Sequence, residues 1–359
     1  MKKFDEIGGN FWVTGGNEFE KEYNDDLIKI SQCKNVEYVS SGRDGIRLII
    51  QQHHFNKKIV LLPVFTCESI IKPFIDEKFQ LFFYDINQDL TINIFDFEQK
   101  LNNHKPSFIF LQSYFGFNTN SNVEQVISNY KLNNACLIAN DLTHSWLSDH
   151  KEIESDFYVI SLRKWLEIAD GGLVLSNHKI NNNVIANDVR AAILGNFNEA
   201  SLLKSSFVAH ANEDLKQKYR ALFYQNEDLY DSSEGVFKMN EESLIRFKHY
   251  NWSETVNRRR NNYQYILNNL LHKDIMPIFP QLPANLAPLY FPFYTKTRTA
   301  LQKKFAENRI YAPIIWPLST VVEKTTNSNY IYESILCLPI DQRYDLSDME
   351  RIIKTIKSL

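Results

Sequence analysis

Phe157-Tyr-Val-Ile-Ser-Leu-Arg-Lys-Trp-Leu-Glu-Ile-Ala-Asp-Gly-Gly-Leu-Val-Leu-Ser176 decides how the rest of the chain is read. An apolar run ends in Ser161, Lys164 stands three residues on, and Gly171-Gly172 leads into a second apolar run, Leu173 to Leu175. The pattern predicts a strand, a tight turn and another strand, with one lysine pinned between them. Such an amine can be a Schiff-base nucleophile if partial desolvation or pairing lets it lose its proton near neutral pH. A lysine after a strand is also commonly just a solvated side chain. The surroundings have to decide.

Working outward, short apolar runs alternate with helical spacing. Tyr38-Val39-Ser40 precedes the turn Ser41-Gly42-Arg43-Asp44-Gly45 and a helix carrying Ile46, Leu48, Ile49 and Ile50. Ile59–Leu62 stops at Pro63 and a helix starts near Thr66. Leu81–Tyr84, Phe108–Leu111 and Cys136–Ala139 are further strands, separated by helices over Phe95–Leu101 and Val123–Tyr130. Strands of this length between helices of about ten residues imply βαβ units and a mostly parallel sheet covered on both faces.

Residues 183–270 read instead as long polar and amphipathic helices. The tail returns to mixed elements: Ile278-Phe279, Leu289–Phe291, a helix over Thr299–Asn308, a strand at Ile335–Leu338 and a helix from Asp348. The expected organisation is an irregular N-terminal arm over 1–30, with turns at Gly8-Gly9 and Gly15-Gly16, a large α/β domain over 31–240, and a smaller α+β domain over 241–359. The boundary near Glu241 is soft. Arg258-Arg259-Arg260 and Ile314-Ile315-Trp316-Pro317 are candidate substrate contacts, but a solvated helix face for the first and core packing for the second are the preferred readings.

Composition narrows the partners. With 40 basic and 43 acidic residues and a formal charge of -3, nothing favours nucleic acid or an anionic membrane. The 44% hydrophobic content suits a substantial core. Four scattered cysteines, without C-x-x-C or nearby histidines, point to neither a metal site nor a disulfide framework, and a reducing cytoplasm fits them. The N-terminus turns acidic before any apolar core and no run reaches the ~18 apolar residues of a membrane span, so neither signal peptide nor anchor is expected.

Three strand ends carry candidate chemistry, where open parallel sheets bind ligands. Ser41-Gly42-Arg43-Asp44 can cup an anion with backbone amides; it is equally a plain strand-to-helix turn. Asn140-Asp141-Leu142-Thr143-His144 offers a carboxylate and an imidazole three residues apart, or else a helix cap beside a surface histidine. Ser161 and Lys164 match S-x-x-K, but the S-D-N and K-T-G of acyl-transfer enzymes are absent and the serine ends a strand instead of opening a helix.

Taken together, Asn140-Asp141-Leu142-Thr143-His144, Ser161-Leu162-Arg163-Lys164 and Ala169-Asp170-Gly171-Gly172 resemble motifs of the DegT/DnrJ/EryC1/StrS aminotransferases. Their patterns are roughly E-D-A-A-H/Q, S-F-x-x-x-K and G-E-G-G. Pro63-Val64-Phe65-Thr66-Cys67 is similar to the family's P-x-x-T segment and Leu338-Pro339-Ile340 to its late L-P. The resemblance runs from about Glu37 and is strongest over 136–176. It implies pyridoxal-phosphate fold type I, pyridoxal 5'-phosphate as cofactor, and transfer of an amino group from an amino acid such as glutamate to a keto sugar, usually nucleotide-linked, in surface-polysaccharide or related biosynthesis.

The resemblance also implies roles. Lys164 anchors the cofactor covalently and shuttles a proton; Asp141 pairs with the pyridine nitrogen; His144 holds O3′ or the ring; Ser161, Gly42 and Arg43 hold the phosphate through one hydroxyl and the turn's amides. Cys67 stands where relatives have a stacking aromatic, unless Phe65 takes that part. A homodimer is implied as well. The serine-to-lysine gap is one residue short, and G-x-N-Y-R-M is not found between 180 and 240. A lyase or dehydratase is one alternative, against which Lys164 argues, since the family's dehydratases have histidine there. A non-catalytic sugar-binding relative is the other.

Overall fold

The computed structural model describes residues 6–13, 33–182, 185–186, 190–210 and 212–358. Gly15-Gly16 and most of the expected arm lie outside them. Seven strands form the main sheet: β1 (Asn35–Val39), β2 (Ile59–Pro63), β3 (Gln80–Tyr84), β4 (Phe108–Gln112), β5 (Leu137–Asp141), β6 (Phe157–Ser161) and β7 (Gly172–Ser176). Their order is β1-β7-β6-β5-β4-β2-β3. β2 pairs in parallel with β3 and β4, and β4 with β5, while β1 runs antiparallel to β7. β1 and β3 are only partly covered, whereas β4 and β7 are buried along their whole length and β2, β5 and β6 in all but one residue. That is the signature of strands covered on both faces, and the expected α/β architecture of a mostly parallel sheet flanked by helices is what forms.

Helices α1 (Gly42–Gln51), α2 (Glu68–Asp76), α3 (Ile94–His104) and α4 (Glu124–Asn133) alternate with these strands. After β7 come α5 (Ala191–His210), α6 (Glu213–Ser232), α7 (Glu241–Lys248) and α8 (Trp252–Asn269). A three-stranded antiparallel sheet of β8 (Met276–Pro277), β9 (Phe291–Tyr294) and β10 (Ile335–Leu338) follows, with α9 (Arg298–Glu307), α10 (Thr326–Ser334) and α11 (Leu346–Lys357). Two elements are displaced from their expected places: β8 precedes Ile278, and β9 begins only at Phe291. Both runs contain prolines or lie beside them, and this blurs a boundary read from hydrophobicity.

The described residues group into two compact units, one within Gly9–His53 and Val159–Asn251, the other within Glu6–Gly8, His54–Tyr158 and Trp252–Leu359. Neither is one continuous segment. In the first, Ile193, Phe197, Phe207, Tyr219, Phe223 and Tyr230 of α5 and α6 pack with Trp12. In the second, Phe74 meets Phe79 and Phe108 edge to face at 5.4 and 5.1 Å, a preferred aromatic geometry.

One expectation needs correcting. Arg259 is 1% exposed and donates to Leu289 O at 2.8 Å and Gln342 Oε1 at 2.9 Å. Arg260 donates to Pro283 O at 2.7 Å and Leu286 O at 2.5 Å. These two arginines brace the loop before β9, where carbonyls outside a ladder need donors. Of the three, only Arg258 is the solvated face residue, 3.7 Å from Glu254.

Candidate functional site

Three segments of the first unit form a cup of backbone and side-chain groups at the N-terminus of α1. Ser41, in extended backbone, caps α1, and its Oγ accepts the Asp44 amide at 3.1 Å. The first turn of α1 therefore presents the positive end of the helix dipole beside Ser41. A Cβ built on Gly42 would lie 3.2 Å from the Ser161 Cβ, so Ser161 abuts that turn. The glycine pair closes the arrangement. Gly171, at φ +145°, donates its amide to Ser40 O at 2.7 Å, and its carbonyl accepts the Leu162 amide at 3.0 Å. A Cβ on Gly172 would meet Ser41 C and O at 2.5 and 2.6 Å and Gly42 N at 2.8 Å. Only glycine allows backbone to approach backbone so closely.

Lys164 ends the single 3-10 turn Leu162–Lys164 that follows β6. The turn is held by Trp165 N–H donating to Leu162 O at 2.9 Å. Leu162 is buried, whereas Lys164 is exposed. The expected pinning is thus confined to the backbone: the amine is presented at the surface of its unit, not desolvated within it. Arg43 is the second residue of α1. Its guanidinium donates to Tyr230 O at 2.5 Å and Asp231 Oδ1 at 2.6 Å, both on α6.

Asp44, in the same turn, is fully buried and lies 3.0 Å from Arg190 and 3.7 Å from Arg47. Burial pushes its carboxyl up to about 6 against the pull of both guanidiniums. That is above the 3.8 of the free side chain, so the group's contribution to stability is fully present below about pH 4 and is lost as pH rises through about 6. Asp44→Asn should remove this decline. Between pH 4 and 7 the urea-unfolding free energy of the wild type should fall relative to the variant by on the order of 2 kcal/mol; a constant difference would refute the coupling.

The second unit holds the acid and the imidazole. β5 runs two residues past the expected Ala139, so Asn140 and Asp141 belong to the strand. Asp141 is 6% exposed and accepts the Thr143 amide through Oδ1 at 2.8 Å. The capping alternative does not hold, because a turn, not a helix, follows. His144 is buried; its Nδ1 accepts the Phe115 amide at 3.4 Å, a long bond that places the proton of the neutral ring on Nε2. The indole of Trp316 stacks on His144 at 5.3 Å and 24°.

The P-x-x-T segment is strapped in place. Tyr114 donates to Phe65 O at 2.6 Å, Tyr332 to Val64 O at 2.9 Å, and Thr66 Oγ1 to Gln112 Oε1 at 3.2 Å. Phe65 is fully buried among Tyr114, Trp316 and Tyr332. It is a core residue of its unit, whereas Cys67, the N-cap of α2, is half-buried.

Sequence reasoning missed several neighbours. Trp316 is more than core packing: it is only half-buried and covers His144. Glu152 accepts from Asn140 Nδ2 at 3.1 Å and Ser145 Oγ at 3.3 Å, gripping the residues beside Asp141 and His144. No motif marks that glutamate in a polar loop. The segment 235–239 lies along β1, with Phe237 O accepting the Ser40 amide at 2.8 Å.

The sequence matches no protein-family model and no curated protein. The fold does match solved structures. Helicobacter pylori PseC, an aminotransferase involved in the biosynthesis of pseudoaminic acid, is 11% identical with a TM-score of 0.65 over 99% of this chain and 100% of its own. A DegT DnrJ EryC1 StrS aminotransferase from Brucella abortus is 15% identical with a TM-score of 0.63, covering 97% and 91%. NtdA from Bacillus subtilis, with PMP bound as cofactor, is 14% identical with a TM-score of 0.64, covering 96% and 79%. At these identities the shared property is the fold, that of pyridoxal-phosphate fold type I.

Proposed function

We propose that the chain is a pyridoxal-phosphate-dependent aminotransferase that moves an amino group from an amino acid, glutamate in the first instance, to a keto sugar. The acceptor on this reading is nucleotide-linked and the setting is surface-polysaccharide or related biosynthesis, in a cytoplasmic homodimer with a large domain over 31–240 and a small one over 241–359. One observation carries the reading: Ser161 abuts the N-terminal turn of α1, and Lys164 stands in the single turn that follows it. A fold of this kind serves many reactions, so the argument rests on the residues.

Their chemistry suits the cofactor. A helix N-terminus and a serine hydroxyl match a phosphate, a buried carboxylate matches a protonated pyridine nitrogen, and a primary amine matches an aldehyde. When bound, pyridoxal phosphate supplies an electron sink for the carbon that loses its proton. Lys164 would anchor it covalently and, once released, carry that proton. Ser161, with the amides of Gly42 and Arg43, would bind the phosphate; Asp141 would hold the ring-nitrogen proton; His144 would orient the ring beside Cys67. Among the described residues no helix is long and apolar enough to cross a membrane, and none of their side chains cluster as a metal site.

Borohydride reduction of the purified protein after incubation with pyridoxal phosphate should leave one stable adduct, mapped by mass spectrometry to Lys164. Label scattered over surface lysines would overturn the proposal, and no label would favour the non-catalytic alternative. Appearance of the donor's nitrogen in the sugar product, not as free ammonia, separates transfer from a lyase. Asp141→Asn should still give the Lys164 adduct but turn over about a hundred-fold more slowly, since the lost charge acts on the developing carbanion and not on capture. Equal loss of capture and turnover would contradict that role.

A further inference from the structure

The last turns of α6 fasten every segment of the cup. Glu227 Oε1 accepts from Arg163 Nη1 at 2.8 Å, and the Arg163 guanidinium lies 4.0 Å from the centre of the Tyr230 ring. Tyr230 donates its hydroxyl to Ala169 O at 2.8 Å, just ahead of the glycine pair, and its own carbonyl accepts from Arg43. Asp231 takes the other arm of Arg43, and Arg190, immediately before α5, reaches Asp44. α5 and α6 pack together around Phe197 and Phe223. The helical hairpin, with Arg190 beside it, therefore touches the first turn of α1, the turn bearing Lys164 and the loop leading to Gly171.

Resting on the cofactor reading above, we propose that Glu227 is a positioning residue for Lys164: by gripping Arg163, the lysine's neighbour in the chain, it orients the turn from which the amine projects and sets the charge around that amine. The hairpin, and not β6 alone, then determines how Lys164 is presented. The charges facing Glu227 are Arg163 and Lys164 from the turn and Arg43 from α1, with Asp231 on its own helix and Asp170 and Arg190 also close to Tyr230. Arg163 holds the Glu227 carboxyl down at about 2 against partial desolvation, with Lys164 and Arg43 acting in the same direction. Glu227 thus stays ionised across the working range. Removing its charge leaves the Arg163 charge uncompensated beside the lysine, which favours the neutral amine.

The test uses wild type, Glu227→Gln, Glu227→Asp and Tyr230→Phe. Without added cofactor, trace acetic anhydride labels Lys164 across pH 6–11, and mass spectrometry reads the labelling profile. Glu227→Gln should move the profile to lower pH by roughly half a unit, about three-fold in labelling rate on the acid side. Glu227→Asp should restore it, and Tyr230→Phe, which loses a structural bond without a charge, should leave it in place. An unmoved profile in a Glu227→Gln protein with wild-type circular dichroism overturns the proposal. So does an equal shift in Tyr230→Phe, which would mean general loosening. Borohydride trapping with pyridoxal phosphate is run in parallel. A shifted profile with no trapped adduct in the wild type would retain the charge coupling and reject the cofactor reading, so the two failures are distinguishable.

Discussion

Lys164→Ala lowers turnover of glutamate and keto sugar by about four orders of magnitude or more, and the borohydride-trapped adduct disappears. On the proposed reading the residue does two things that no neighbour can replace: it forms the covalent link and it carries the proton between donor and cofactor, the second alone being worth about 10²–10⁴-fold. Lys164 is exposed and its side chain fills no core space, so the variant's melting temperature stays within about two degrees of the wild type. Lys164→Arg should fail as completely. A guanidinium keeps the charge but does not give up its proton to become a nucleophile. Steady-state kinetics with mass mapping checks both, and an alanine variant with undiminished turnover would sink the mechanism.

The second large effect belongs to a residue with no side chain. In Gly172→Ala the new methyl group would stand 2.5 Å from Ser41 C and 2.8 Å from Gly42 N, and neither is the end of a flexible side chain that can swing away. β7 and the turn entering α1 must separate, at a cost of about 3 kcal/mol. The amides proposed to bind the phosphate are displaced with them, so pyridoxal phosphate should bind at least about ten-fold more weakly. Urea denaturation and equilibrium dialysis measure the two effects separately. Wild-type stability would show that the close approach is dispensable. Wild-type binding in a destabilised variant would place the phosphate elsewhere.

Much of this arrangement is legible in the order of residues. Short apolar runs ending at Pro63, Ala139 or Ser161 mark strands covered on both faces, because burial on two sides removes alternation. Ser41-Gly42 announces a strand-to-helix turn, and Gly171-Gly172 a tight turn before a strand. Phe65 shows where such reading stops. An aromatic beside P-x-x-T is an equally good candidate for a cofactor face or a core, and its burial among Tyr114, Trp316 and Tyr332 chooses the core. Arg259 shows the same from the other side: a charge run looks solvated until buried carbonyls need its donors.

By itself the amino-acid sequence determined the alternation of strands and helices, the glycine-containing turns and the candidacy of Ser161, Lys164, Asp141 and His144, since each depends on residues a few positions apart. The tertiary structure alone decided that Arg43 turns away from the cup to Tyr230 and Asp231, 187 and 188 residues along the chain. It likewise decided that Glu227 holds the residue beside Lys164, and that Trp316 covers His144. Pairings across such separations leave no periodic or local trace, because they are selected by geometry only after the packing of α5 and α6, or of the residues around Phe65, has brought the partners within reach.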